Sequence, residues 1–551
     1  MAERQNAAPG PRAGRTLYRP RQVPGSQFRC AVQFVETRGA FLLVYSEWDR
    51  DPALVTGRLT MKTTMARLLL GATVFAGMLS AEPVKTDPAN PHYYSFHGRP
   101  TLLITSAEHY GAVLNKAFDY VAYLDALKAA GLNYTRIYPG ALFEPVGKYM
   151  TGNTLGPRPA DLILPWARSG EPGYMLGGGK FDLDRWDRDY FARLKDFLRK
   201  ADERGVVVEI CFFNSQYSDT WPISPLYHEN NVQGEGKCDW RAAQSLKDAA
   251  VARREEDYVR KITQEANAFD NVILEICDEA ASIGTGIALA GPWVARMADV
   301  VIATEKTLPR KHLIAQEVEG PFGGAMDFSA DPRFDVVVGQ YINGWIAGEA
   351  GGEMGGIRGL DVKYSVNKPI ELNETDYYPL NYRGDKIGDS RVEAWEFIVG
   401  GGAAFNQLNG LFTVENPAGK HPEDEKMFAA LRHLSEFMAS FEFTKMHPDK
   451  PFVAGGLGKD VYYRVLSEPG RQYAVYVHHS SERKTGSYEV VPGNYGESLV
   501  LDLPAGSYQA DWVDPASGSV VQSRQIVHQG GNFTLAAPRY SIDIALRIKR
   551  T

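Results

Sequence analysis

Short apolar, β-branched runs alternate with longer amphipathic segments through most of the chain. Residues 101–108 (TLLITSAE), 133–139 (NYTRIYP), 206–213 (VVVEICFF) and 271–280 (NVILEICDEA) have the length and composition of buried strands. So do 312–318, 335–342 (DVVVGQYI), 369–375 (PIELNET) and 402–408 (GAAFNQL). Helical patterns fill the gaps at 119–130, which Gly131 stops, at 183–204, before residue 268, at 292–307 and at 390–399. Eight such alternations over about 350 residues predict an α/β protein built on a (β/α)8 TIM barrel. A doubly wound open sheet is the alternative, but no Gly-rich dinucleotide turn follows the first strand.

The texture changes near Lys450. Runs at 461–467, 473–478, 488–491, 498–503, 508–513 and 542–548 are short and alternating, with Asp514-Pro515 and Gly530-Gly531 among the turn residues between them. They predict a small all-β sandwich over 450–551, behind a barrel domain spanning 82–445.

The first 60 residues carry nine Arg, no Lys and a scatter of Pro and Gly without a sustained period. They are expected to be an extension, either non-native or disordered. Met61 to Arg67 then opens a basic segment, Leu68 to Leu79 is apolar, and Ser80-Ala81 offers a small-residue cut before Glu82. That is the form of a signal peptide over 61–81, too short to span a bilayer, and it implies a secreted or periplasmic protein. Residues 1–81 hold 11 basic and 5 acidic side chains, a net of +6; removing them from the chain's −7 leaves −13. An acidic exported chain is a poor partner for nucleic acid or an anionic membrane, and no integral membrane segment is expected after the signal. Aromatic residues make up 11 %, which suits a carbohydrate partner. Of the four Cys, Cys30 lies in the extension. Cys211 and Cys277 fall in buried strands, and their pairing with each other or with Cys238 is left open.

Several strands end in polar residues, as a barrel needs at the rim where chemistry is done. In chain order these include Glu108-His109, Arg136 and Tyr138, Asn214, Asp278-Glu279, Glu317 and Glu319, then Gln340-Tyr341 and Asn343, Asn373-Glu374, Asn406 and Asn409. Acids on the fourth and seventh strands face each other across an eight-stranded ring. Two carboxyl groups about 5–5.5 Å apart suit retaining glycoside hydrolysis, one protonating the leaving oxygen and the other attacking the anomeric carbon. Arg136 can keep Glu374 ionised, Tyr341 can add a hydrogen bond, and Asp278 beside Glu279 would favour its protonated form.

NVILEICDEA resembles the fourth-strand signature of clan A glycoside hydrolases, the cellulase-like superfamily that includes family 5, whose Glu is the acid/base. KPIELNETD resembles the seventh-strand signature, whose Glu is the nucleophile. The resemblance spans the barrel, residues 91–441, and implies Glu279 as acid/base and Glu374 as nucleophile, with Arg136 and Tyr341 matching the clan's usual Arg and Tyr. Asp278 stands where the clan has an Asn that bonds the sugar 2-hydroxyl, and no clear match exists for the clan's strand-eight Trp. The C-terminal GSYQADWVDPASG and SIDIALRI resemble a β-sandwich that carries a collagen-binding label behind uncharacterised secreted barrels; a cap on the barrel is expected instead.

The sequence therefore points to a secreted retaining glycoside hydrolase of β-linked glycans or glycosides that needs no cofactor and no metal. Asn214 and His109 are expected to contact sugar. Trp345, like Trp166, Trp221 and Trp240, falls in a rim loop as a packing residue or sugar platform. Glu275 and Glu371 read as interior or salt-bridged acids. The alternatives are a non-catalytic carbohydrate-binding barrel and a metal-dependent hydrolase on the same scaffold, against which the scarcity of strand-end His argues.

Overall fold

The computed structural model describes residues 31–37, 40–46, 82–107, 110–148, 154–281, 285–318, 326–340, 356–375, 386–482 and 488–551. Eight strands form one parallel sheet: β1 (Leu103–Ala107), β2 (Tyr134–Ile137), β3 (Val207–Asn214), β4 (Val272–Asp278), β5 (Leu313–Glu317), β6 (Val336–Gln340), β7 (Ile370–Glu374) and β8 (Ala404–Leu408). Their neighbours run β1-β8-β7-β6-β5-β4-β3-β2. Asn133, just before β2, brings the two ends together. Its side chain accepts from the Ile104 N–H at 2.9 Å and donates to the Leu102 carbonyl at 2.8 Å. Every residue of β3 and β4 is buried, as strands covered on both faces require.

Helices follow the strands as the pattern predicts. The helix α1 (Tyr120–Ala130) is capped by the Asp119 side chain, and Gly131 ends it at φ 75°, a left-handed turn that glycine adopts without strain. After it come α2 (Arg188–Asp202), α3 (Ala249–Ala266), α4 (Ile287–Glu305), α5 (Gly356–Lys363), α6 (Lys386–Val399) and α7 (Pro422–Ala439). By length and composition α4 is apolar enough to cross a membrane. In this fold it packs Trp293, Val294 and Met297 into the barrel core.

Three differences from the sequence reading have physical causes. Leu183 is not helical: it lies in a hairpin, Trp166–Pro172 with Gly179–Trp186, and the helix waits for the Asp187 cap. Strand Val520–His528 was hidden because it edges its sheet, with most of its residues exposed. Within the extension, 31–37 and 40–46 pair as an antiparallel hairpin, two runs rich in β-branched and aromatic residues. The signal-peptide stretch lies outside the described residues.

A three-stranded sheet (Lys85–Thr86, Tyr94–Phe96, Arg99–Thr101) plugs the barrel's N-terminal mouth. Val84, Tyr93 and Tyr94 pack on Leu103, Tyr134, Val207, Ile273 and Val336 from the early parts of the strands. Beneath the plug, Glu209 and Glu371 are fully buried and accept from the Tyr134 and Tyr94 hydroxyls respectively. Among the described residues, the other oxygen of each acid has no partner. Burial is the main force that lifts Glu371 to about 7, and it pushes Glu209 well above the ordinary carboxylate range. Between pH 4.5 and 7 the folded chain therefore holds a proton on Glu371 that the unfolded chain has lost. Stability should fall across that window as pH rises. Unfolding free energies of Glu371→Gln and the parent, followed from pH 5 to 8, should separate in the mutant's favour by about 3 kcal/mol or less. Parallel curves would contradict this.

From His447 onward the chain forms a six-stranded antiparallel sheet and a three-stranded one around a second core that includes Tyr473, Leu501, Trp512 and Leu546. This β-sandwich rests on α6. Arg391 donates to both oxygens of Asp543 at 3.0 and 2.9 Å, and Glu396 accepts from Arg464 at 3.1 Å and pairs with His478 at 2.8 Å. These paired groups are nearly all buried, so the sandwich is a fixed cap on the barrel rather than a tethered module.

Candidate active site

The rim is organised by one buried cation. Arg136, near the end of β2, is fully buried. Its Nε and Nη2 donate to Glu275 Oε2 at 2.8 and 2.6 Å; Nη2 also donates to Asp278 Oδ1 at 2.8 Å, and Nη1 to Glu374 Oε1 at 3.4 Å. One planar fork thus joins two carboxylates of β4 to one of β7, a geometry that lysine cannot reproduce. Burial works against the arginine's charge, but Asp278 and Glu275 outweigh it and hold the guanidinium protonated well above its ordinary range.

Asp278 is also bonded by the Tyr138 hydroxyl at 2.5 Å and by the Asn214 amide, which reaches Tyr138 as well at 3.1 Å. Tyr110 stacks on Tyr138 with ring centres 4.2 Å apart. Burial, and then Asp278, push the Tyr138 phenol well above its usual value, so it stays a donor. Cys211 and Cys238 are free thiols. Burial raises the Cys211 thiol well above its usual range.

A register shift aims the seventh-strand acid. Gly339 pairs with Leu372 and Gln340 with Glu374, leaving Asn373 as an extra residue in β7. Strict alternation would send Asn373 and Glu374 to opposite faces. With the shift, Asn373 donates to Glu275 Oε1 at 3.4 Å while Glu374 meets Arg136. Asn406 on β8 secures the bulge by donating to the Asn373 carbonyl at 3.0 Å.

Glu279 follows β4 with φ 51°, a left-handed conformation costly for a residue with a Cβ. Its N–H donates to Glu317 Oε2 at 2.6 Å and its carbonyl accepts from Ser215 Oγ at 2.5 Å. Tyr217 donates to its carboxylate at 3.2 Å, and Lys148 Nζ lies 4.1 Å from the centre of the Tyr217 ring. Strain held by this many contacts marks a position kept for its side chain rather than for stability. Asparagine accepts the left-handed region more readily. Glu279→Asn is therefore expected to stabilise the fold by about 1 kcal/mol, read as a rise in melting temperature, while abolishing hydrolysis; a clear fall would contradict the strain argument.

The structure thus brings Arg136, Asp278, Asn214 and Glu374 into one network, with Glu279 next to it in the chain. Tyr341, His109, Glu319 and Trp345 lie outside the described residues. Asp278 accepts from Arg136 on one oxygen and from Tyr138 and Asn214 on the other. Trp166 stacks on Tyr258 at 5.3 Å and Trp221 donates to the Cys238 carbonyl at 3.0 Å; both are buried packing residues. The sequence did not single out Tyr217 and Ser215, which sit in an irregular loop, and it set Glu275 apart from the site.

The sequence matches no protein-family model and no curated protein. Solved structures do match. A family 5 glycoside hydrolase from Bacteroides vulgatus ATCC 8482 is 13 % identical, with a TM-score of 0.57 over 85 % of this chain and 93 % of that one. Another glycoside hydrolase is 14 % identical, with a TM-score of 0.56 over 86 % of this chain and 98 % of that one. The architecture, a TIM barrel followed by an all-β domain, is that of these glycoside hydrolases.

Proposed function

We propose that the protein is a secreted retaining glycoside hydrolase that cleaves β-linked glycans or glycosides. Glu374 attacks the anomeric carbon, the leaving oxygen takes its proton from Glu279, and Glu279 then deprotonates the water that releases the sugar. Arg136 keeps Glu374 anionic before attack, and the Tyr217 hydroxyl orients the Glu279 carboxyl. The observation that carries the reading is the Arg136 fork, which ties the ends of β4 and β7 together at the rim. Two acids from those strands are what a double displacement needs. The steps require no cofactor.

Hydrolysis of a panel of aryl β-glycosides and plant and bacterial polysaccharides, run beside Glu279→Gln and Glu374→Gln, tests it. Loss of activity in both variants supports the site. Activity untouched by either change sinks it. Binding of a glycan without turnover would favour the carbohydrate-binding barrel instead.

A further inference from the structure

Glu275 is the closest partner of the site arginine, yet it is neither of the proposed reacting carboxylates. It is fully buried in the middle of β4 and takes two of the arginine's N–H donors on one oxygen, at 2.8 and 2.6 Å. Glu374 receives a single contact from the same guanidinium, at 3.4 Å. The other oxygen of Glu275 is bonded by Asn373, the extra residue that turns Glu374 inward. Glu275 therefore grips both elements on which the placement of Glu374 depends.

We propose that Glu275 is a positioning residue: it anchors the Arg136 fork and the β7 bulge, and so fixes where Glu374 sits and how much of the arginine's charge Glu374 receives. This rests on the reading of Glu374 as nucleophile. A charge divided among Glu275, Asp278 and Glu374 stabilises each carboxylate less than one held by Glu374 alone. Among the described residues, the titratable groups that act on Glu275 are Arg136 from β2, Glu209 and Cys211 from β3, Glu371 from β7 and Asp278 on its own strand, while Glu374 shares its arginine. Only Arg136 in this set is cationic. Burial raises Glu275 and the Arg136 contact opposes that shift. Where Glu275 is ionised, removing its charge acts on Glu374 in one direction, ending a repulsion and releasing the guanidinium toward Glu374, and both lower the pH at which Glu374 takes a proton.

The test uses full-length protein with 13C-labelled glutamate carboxyls, the Glu374 resonance being assigned by its loss in Glu374→Gln. In Glu275→Gln the Glu374 titration midpoint should move down by about one pH unit. Glu275→Asp keeps the charge but withdraws it by a methylene, so it should move the midpoint the same way by less. In turnover, Glu275→Gln should lower kcat with KM little changed and carry the acid limb of the kcat/KM profile downward, which a merely structural role would not do. An unchanged or raised Glu374 midpoint in both variants would overturn the proposal. The titration needs no substrate. A protein that hydrolyses nothing yet shows the shift would refute the glycosidase reading and leave the positioning role standing.

Discussion

Glu374→Gln should cost about 10^4-fold or more in kcat/KM on any glycoside the protein cleaves, because an amide cannot form the glycosyl-enzyme bond. The effect should not depend on the leaving group. Glu279→Gln should behave differently. Its proton matters little when an activated phenol departs, so the first step on such a substrate is nearly spared, while the second still lacks its base. An early burst of phenol followed by slow turnover is the expected trace, and the loss should steepen as the phenol becomes less acidic. Equal losses in both variants across all leaving groups would mean that the two roles are misassigned.

Arg136→Met should give the largest structural effect. Replacing the guanidinium with an apolar side chain takes from Glu275, Asp278 and Glu374 the buried cation that, among the described residues, all three share. Removing one partner of a buried ion pair costs about 3–5 kcal/mol, and three carboxylates share this partner. The variant should be unfolded or melt many degrees below the parent at neutral pH, and it should recover partly at acid pH as the carboxylates protonate. Arg136→Lys keeps the charge but not the fork, so it should fold and yet lose activity. Melting curves at pH 5 and 8 check both. A stable Arg136→Met would show that the buried acids are neutral without the arginine.

Much of the barrel was legible because buried parallel strands need continuous apolar runs, and this chain writes eight of them. The polar ends of those runs pointed to Arg136, Asn214, Asp278 and Glu374, since an acid or amide closing an apolar strand has few structural reasons to be there. Other features were not legible for stated reasons. Alternation along β7 would let Asn373 or Glu374 face inward but not both, and the bulge that admits both follows from pairing with β6. The grip of Glu275 on Arg136 joins residues 139 positions apart, a separation that no local pattern encodes. The same holds for Tyr94 beneath Glu371, 277 positions away. Trp166 reads as a rim aromatic from its place in a long loop, but that loop folds into a hairpin and buries it.

In the proposed mechanism Glu374 forms a covalent bond to sugar. The most direct measurement is intact and peptide mass spectrometry after incubation with a panel of 2-deoxy-2-fluoro β-glycosides bearing activated leaving groups, which slow breakdown of the intermediate. One added glycosyl mass is expected, located on the peptide that holds Glu374 and lost in Glu374→Gln. Label on a different residue, or steady hydrolysis with inverted anomeric configuration and no label, would contradict it.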